Sequence, residues 1–256
     1  MPVTELSLRA LAGIPAVKPG DNLALIIMRG LEQSQIALQA GDVLIVSSKI
    51  VSKANNRFVD LEKIQPSERA TTLAQTTHKD PRFVELVLRE SVRVSRAAPN
   101  ALIVQHRLGF TSANAGIDQS NTGYTSGNMV LLLPEDPDAS AAALASTLEA
   151  ELGIRPAIVI SDTHGRPFRI GNINVAIGID GLPPLYDQRG QSDLYGRTLQ
   201  ATVTAFCDQI ASAAGLLMGE ADEGQPVVLM RGLRWPADQV GRAHELVRPS
   251  DQDLYR

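Results

Sequence analysis

The sequence predicts an α/β protein with mixed sheets and helices, built on neither the P-loop nor the Rossmann plan. Short apolar runs alternate with helical stretches: Val43-Leu44-Ile45-Val46, Ala101-Leu102-Ile103-Val104, Ala157-Ile158-Val159-Ile160, Val175-Ala176-Ile177-Gly178-Ile179 and Pro226-Val227-Val228-Leu229-Met230. Strands separated by helices imply a sheet that is at least partly parallel. No Gly-x4-Gly-Lys-Ser/Thr occurs, and no Gly-x-Gly-x-x-Gly follows a strand, so the common phosphate-binding fingerprints are missing.

Taken in order, Ile14-Pro15-Ala16-Val17-Lys18-Pro19-Gly20-Asp21 is an extended loop, because two prolines and a glycine oppose helix. Asp21 is positioned to cap a helix over residues 22–39, whose apolar residues Leu23, Ile26, Ile27, Leu31 and Ile36 keep an approximate 3.6 period. Gly41-Asp42 turns the chain into the run 43–46, apolar enough to be covered on both faces. Ser47 to Lys53 follow as a polar strand end, either solvated or an anion site.

Pro66 and Ser67 open a helix over 67–77, and Asp80-Pro81 opens another, with Val84, Leu88 and Val92 as its buried stripe. Arg82, Glu85, Arg89, Glu90 and Arg93 then form its solvated face. Leu131-Leu132-Leu133 is stopped by Pro134 and Pro137, after which Asp138 or Ser140 caps an alanine-rich helix closed by Gly153. Glu135, Asp136 and Asp138 read as turn and cap residues. A long helix is expected over 194–217, ahead of the last strand.

Composition narrows the function. At 256 residues and 44% hydrophobic content the chain can bury a large core, in one piece or in two interlocked lobes. Residues 1–235 form that unit, and the polar stretch 236–256 reads as a peripheral tail. The net charge of −4 offers no basic surplus for nucleic acid. No apolar stretch approaches a membrane span, and the single cysteine, Cys207, fits a buried thiol in a reducing cytoplasm. A Gly-x-Ser-x-Gly elbow is absent. With one cysteine and four histidines lacking ligand spacing, any metal site rests on oxygen donors and therefore on Mg²⁺ or Mn²⁺.

Two polar stretches are candidates for such a site. The first is Asn114-Ala115-Gly116-Ile117-Asp118-Gln119-Ser120-Asn121, which either lies open to water or serves a ligand, since an unpaired buried amide costs on the order of 2 to 7 kcal/mol. The second is Ser161-Asp162-Thr163-His164-Gly165-Arg166-Pro167-Phe168-Arg169, where a carboxylate, a hydroxyl and two arginines emerge together after a strand. That combination can hold a divalent cation and anionic oxygens. His164, beside a glycine turn, reads as a loop histidine rather than a proton carrier.

The series Gly13 to Asp21, Gly41-Asp42-Val43-Leu44, Ile50-Val51-Ser52-Lys53-Ala54, Asn114 to Asn121, Leu133-Pro134-Glu135-Asp136-Pro137-Asp138, Ser161-Asp162-Thr163-His164-Gly165-Arg166, Asp193-Leu194-Tyr195-Gly196-Arg197 and Leu217-Met218-Gly219-Glu220 resembles the coenzyme F-420-0:L-glutamate ligase family. Each motif is weak alone, but the set runs in the family's order across residues 10–233. Two departures stand out: Asn55-Asn56 where relatives read Glu-Gly, and Gln119 where an arginine is common.

The resemblance implies a two-lobed fold particular to the family. It also implies a GTP-dependent ligase that adds L-glutamate, then further γ-linked glutamates, to coenzyme F-420-0 in the cytoplasm. A homodimer, two divalent cations and K⁺ are implied with it. Asp118 and Asp162 would hold the first cation, Thr163 and Glu220 the second. Ile14, Pro15, Ala16 and Val17, with Ser48, Lys53 and Asn121, would contact GTP, as would the loop of Met218, Gly219, Ala221, Asp222, Glu223, Gly224 and Gln225. Lys53 would offset phosphate charge, and Arg166 and Arg169 would grip the acceptor or the incoming glutamate.

Overall fold

The computed structural model describes residues 4–124, 128–236 and 239–253. In chain order the elements are β1 (Ser7–Ala10), α1 (Leu23–Gln33), β2 (Val43–Ser47), α2 (Ser48–Ala54), β3 (Phe58–Asp60), α3 (Glu68–Thr77), α4 (Pro81–Arg89), β4 (Ser91–Ala98), β5 (Ala101–His106) and β6 (Thr111–Ala113). There follow β7 (Met129–Leu131), α5 (Pro137–Leu152), β8 (Ala157–Arg166), β9 (Arg169–Asp180), β10 (Tyr186–Asp187), β11 (Val203–Thr204), α6 (Phe206–Met218) and β12 (Val227–Arg231).

The central sheet has five strands in the order β1-β12-β2-β8-β9. Only β2 and β8 are parallel within it, while β1–β12, β12–β2 and β8–β9 are antiparallel. The sheet is thus mixed, as the sequence predicts. Residues of β2 alternate between two apolar layers and are all buried from Val43 to Val46. Leu44, Val46, Ile158 and Ile160 face α1 and α5 on one side. Val43, Ile45 and Val159 meet Cys207, Ile210 and Ala214 of α6 on the other. Burying a Leu or Ile side chain stabilises by about 1.5–3 kcal/mol, so both layers hold the sheet firmly.

A second lobe spans residues 58–132 and has its own core, in which Leu61, Val84, Val87, Leu102, Val104 and Val130 pack together. Its β4-β5-β6 sheet is antiparallel, and β3 pairs with β7. Charged groups tie it to the rest of the chain. Arg57 Nη2 lies 3.5 Å from the Glu90 carboxylate and Arg107 Nη1 donates to the Glu135 carbonyl at 3.1 Å, while Arg107 Nε lies 3.1 Å from Glu90 within the lobe. Glu90 therefore leaves the solvated face expected for it. The buried stripe of α4 is Phe83, Val84, Leu86 and Val87, while Val92 lies on β4 and is exposed.

Four other expectations are corrected. Helix α1 stops at Gln33, because Gln35 turns into the left-handed region; Ile36 and Leu38 are buried by the chain leading to β2. Its cap is Asn22, whose Oδ1 accepts the Leu25 N–H, whereas Asp21 accepts the Lys18 N–H. Helix α5 is capped by Asp136, leaving Asp138 Oδ1 to accept the Ile179 and Ala243 N–H groups. Helix α6 begins only at Phe206: Asp193 Oδ1 accepts the Tyr195 and Arg197 N–H groups in a turn, and β10 pairs with β11.

The fourth concerns β8, which continues well past Ile160. It pairs with β9 as far as Arg166, with an irregularity at Ile160/Ser161. His164 consequently lies on a strand and is buried. Ala243 is also buried, and Leu246 packs against the layer around α6. Among the described residues no helix is long and apolar enough to cross a membrane.

Candidate active site

The parallel pairing of β2 and β8 sets Ser47 opposite Ser161, so the residues just beyond them arrive side by side. Ser48 Oγ donates to Asp162 Oδ1 at 2.7 Å, and His164 Nε2 lies 3.1 Å from Asp162 Oδ2. Both carboxylate oxygens are thus held by the chain's own side chains. Thr163 Oγ1 donates to Glu220 Oε1 at 3.0 Å, which brings the loop after α6 to the same strand.

The other carboxylate comes from the polar loop before β7. Asp118 is fixed to Leu131 by two backbone hydrogen bonds of 2.9 Å. Upstream of it, Asn114, Ala115 and Gly116 all have positive φ. Gly116 is needed there, since a Cβ would stand 2.7 Å from Leu133 Cδ1 and 3.5 Å from Asp162 Oδ2. This left-handed run turns the chain back so that Asp118 approaches Asp162. Asn121 Nδ2 then donates to the Ala221 carbonyl at 2.9 Å, joining the two loops.

These parts enclose a cavity of about 650 Å³. Ile14 to Val17, Ser48, Lys53, Asp118, Asn121, Asp162, Thr163 and every residue from Met218 to Gln225 line it. Residues nominated from five separate stretches of sequence thus share one cavity. Arg166 and Arg169 do not line it: Arg166 Nη2 donates to the Ile170 carbonyl at 3.2 Å, and Arg169 is exposed at the turn of the β8–β9 hairpin.

Sequence reasoning passed over Lys49 and underrated His164. Ser48–Ala54 is a helix, so Lys49 and Lys53, four apart, present their ammonium groups on one side. Reading that stretch as a strand end hid the pairing. Lys49 Nζ lies 3.5 Å from Asp118 Oδ2 and donates to the Ser120 carbonyl at 3.3 Å. His164 packs against Phe110, with ring centroids 4.7 Å apart. It also borders a separate cavity of about 300 Å³ beside Asp208.

The electrostatics are those of a crowded anionic floor. Burial pushes the Asp118 carboxyl up to about 6; Lys49 opposes that shift and Asp162 adds to it. Burial lowers the Lys53 ammonium, and Lys49 lowers it further. Among the described residues no three Asp, Glu, His or Cys side chains gather closely enough to hold a metal unaided. Asp118, Asp162, Thr163 and Glu220 nevertheless offer only hard oxygen donors. That set fits a cation such as Mg²⁺, which takes one or two carboxylates and completes its shell with water and phosphate.

Fold and site together define a mixed-sheet α/β protein with an oxygen-lined polar cavity at the ends of two parallel strands. Residues 13–232 match the F420-0:Gamma-glutamyl ligase family, and the chain belongs to it. It is 42% identical over 252 residues to the coenzyme F420:L-glutamate ligase of Methanothermobacter thermautotrophicus, covering 98% of this chain and 99% of that one. The protein of the same name from Methanopyrus kandleri is 44% identical, covering 94% of this chain and 93% of its own length. That of Methanocaldococcus jannaschii is 38% identical, with 91% and 95% covered.

Proposed function

We propose that this protein is a GTP-dependent ligase that joins L-glutamate to coenzyme F-420-0, and then adds further glutamates through γ-linkages. The observation that carries the reading is the meeting of Asp118, Asp162, Thr163 and Glu220 with Lys49 and Lys53 around one cavity. Near-complete coverage by similarly named relatives supports it. Working as a homodimer in the cytoplasm, with two divalent cations and K⁺, belongs to the same proposal.

Amide formation from a carboxylate needs an activated acyl group. In this reading a carboxylate oxygen of the acceptor attacks the γ-phosphorus of GTP and GDP leaves, giving an acyl phosphate. The glutamate amine then attacks the acyl carbon, phosphate departs, and the amine proton is released. Bound divalent cations would offset charge on the nucleotide's terminal phosphates, with Asp118 and Asp162 holding one and Thr163 and Glu220 the other.

The chain's own groups prepare that centre. Ser48 and His164 hold Asp162 in one orientation, so little reorganisation remains when the reaction begins. Lys53 carries its ammonium into the partly buried floor, where it counters charge on the transferred phosphoryl group. Ile14 to Val17 and the loop from Met218 to Gln225 both line the cavity and would form the nucleotide's bed. Arg166 and Arg169 would meet an anionic acceptor only outside the cavity.

That placement favours a second reading, a related ligase acting on a different phosphorylated acceptor. Mass spectrometry after incubation with coenzyme F-420-0, GTP, glutamate and Mn²⁺ separates the two. Products heavier by successive glutamyl units support the first. GDP release only with another acceptor supports the second. Asp162→Ala should reduce turnover by about 10²-fold or more, and unchanged turnover would remove the proposed site from the chemistry.

A further inference from the structure

We propose that Lys49 is a built-in counter-ion for Asp118 that competes with the divalent cation and gives way when it binds. The proposal rests on the reading of Asp118 as a cation ligand. Its ground is geometric: Nζ lies 3.5 Å from Asp118 Oδ2 and 3.3 Å from the Ser120 carbonyl. One ammonium on α2 therefore bridges two acceptors of the same loop.

Charge balance explains why such a group would be present. Asp118 and Asp162 converge with Ser48 as a neutral donor, and Lys49 and Lys53 are the lysines lining the same cavity. Without a cation, two carboxylates facing each other in a half-buried space repel, and an ammonium on Asp118 relieves that repulsion. A divalent cation held by Asp118 would need the same carboxylate. Like charges a few ångströms apart are weakly screened where water is scarce, so the ammonium and the cation oppose each other there.

Lys49 can leave because its side chain is a flexible four-carbon stem, and Lys49 and Asp118 are 25% and 30% exposed. The phosphates that arrive with the cation offer it a new anionic partner in the same cavity. Cation and nucleotide thus bind more strongly together than the cation does alone. The device would keep Asp118 in position in the resting protein and make cation capture depend on the nucleotide.

The test is Mn²⁺ binding to the intact protein without nucleotide or acceptor, followed by the electron paramagnetic resonance of the free ion. Lys49→Met should tighten Mn²⁺ binding by about two- to fivefold, the scale of losing one partly exposed ion pair. Lys49→Arg, which keeps the charge, should stay near the unaltered protein. Adding GTP should strengthen Mn²⁺ binding less in Lys49→Met than in the unaltered protein.

Unchanged or weaker Mn²⁺ binding in Lys49→Met, with an unaltered circular dichroism spectrum, overturns the proposal. If that variant fails to fold, Lys49→Gln is read in its place. Asp118→Asn combined with Lys49→Met must abolish the gain, and a gain that persists also overturns it, because the effect would not pass through Asp118. Since this titration contains neither acceptor nor glutamate, it can fail while glutamyl products form, or succeed while they do not.

Discussion

At the residue scale, Glu90 shows how position outranks residue type. The alternation of charges along 82–93 places it on a water-facing side, yet it sits beside Arg57, Arg107 and His106. Burial alone would raise its carboxyl. The His106 ring and the Arg107 and Arg57 guanidinium groups outweigh that and hold it at about 2, below the ordinary 4.5. A depressed carboxyl contributes stability that is complete above pH 4.5 and is lost as pH falls toward 2. Urea unfolding between pH 6 and 2.5 should show a decline that Glu90→Gln reduces by about 2–3 kcal/mol. An equal decline in the variant would mean that the cluster does not tie the lobes.

The same contrast governs the candidate site. Asp118 and Asp162 were legible because polar loops after apolar runs invite a ligand. His164 was not, since its burial comes from the long pairing of β8 with β9 and from Phe110, both remote in the reading of a local Gly turn. Lys49 was hidden by the assignment of its stretch as extended chain.

At the element scale, packing of α5 on β9 depends on one residue without a side chain. A Cβ at Gly178 would fall 2.5 Å from the Pro137 carbonyl carbon. Helix and strand would have to part, and overpacking of this kind costs about 1–3 kcal/mol. Gly178→Ala should lower the urea midpoint accordingly while leaving helix content intact, as circular dichroism would report. A midpoint equal to that of the unaltered protein would show that the helix gives way freely.

Periodicity located the apolar strands well, because a strand covered on both faces is a run of apolar residues with little else to explain it. It failed for the start of α6, where Leu194 and Tyr195 keep an apolar spacing but are about 90% exposed. Helical spacing in residues 194–204 meets an Asp193 turn and β-branched Val203 and Thr204, which pair as strand instead.

At the scale of the whole molecule, stability and chemistry are separable. The cores are apolar, and no metal cluster exists among the described residues to support them. Chelation with EDTA should therefore abolish turnover while leaving the melting temperature of the ligand-free protein unchanged. Mn²⁺ with GTP at about 100 times Kd should add about 2.7 kcal/mol, a rise of about 5–10 °C in Tm. Unfolding on chelation would assign the metal a structural task instead.

The sequence by itself determined the mixed α/β class, the buried strands, the caps at Ser67 and Asp80, and the oxygen-rich stretches that could meet a cation. Those follow from local rules of burial, hydrogen bonding and backbone geometry, which act over a few residues. Only the tertiary structure decided that Asp118, Asp162 and Glu220 face one space, that Lys49 reaches Asp118, and that Arg166 and Arg169 lie beyond it. Such proximities depend on strand pairing and on loop reversals between residues far apart in the chain, for which no short stretch carries a signal.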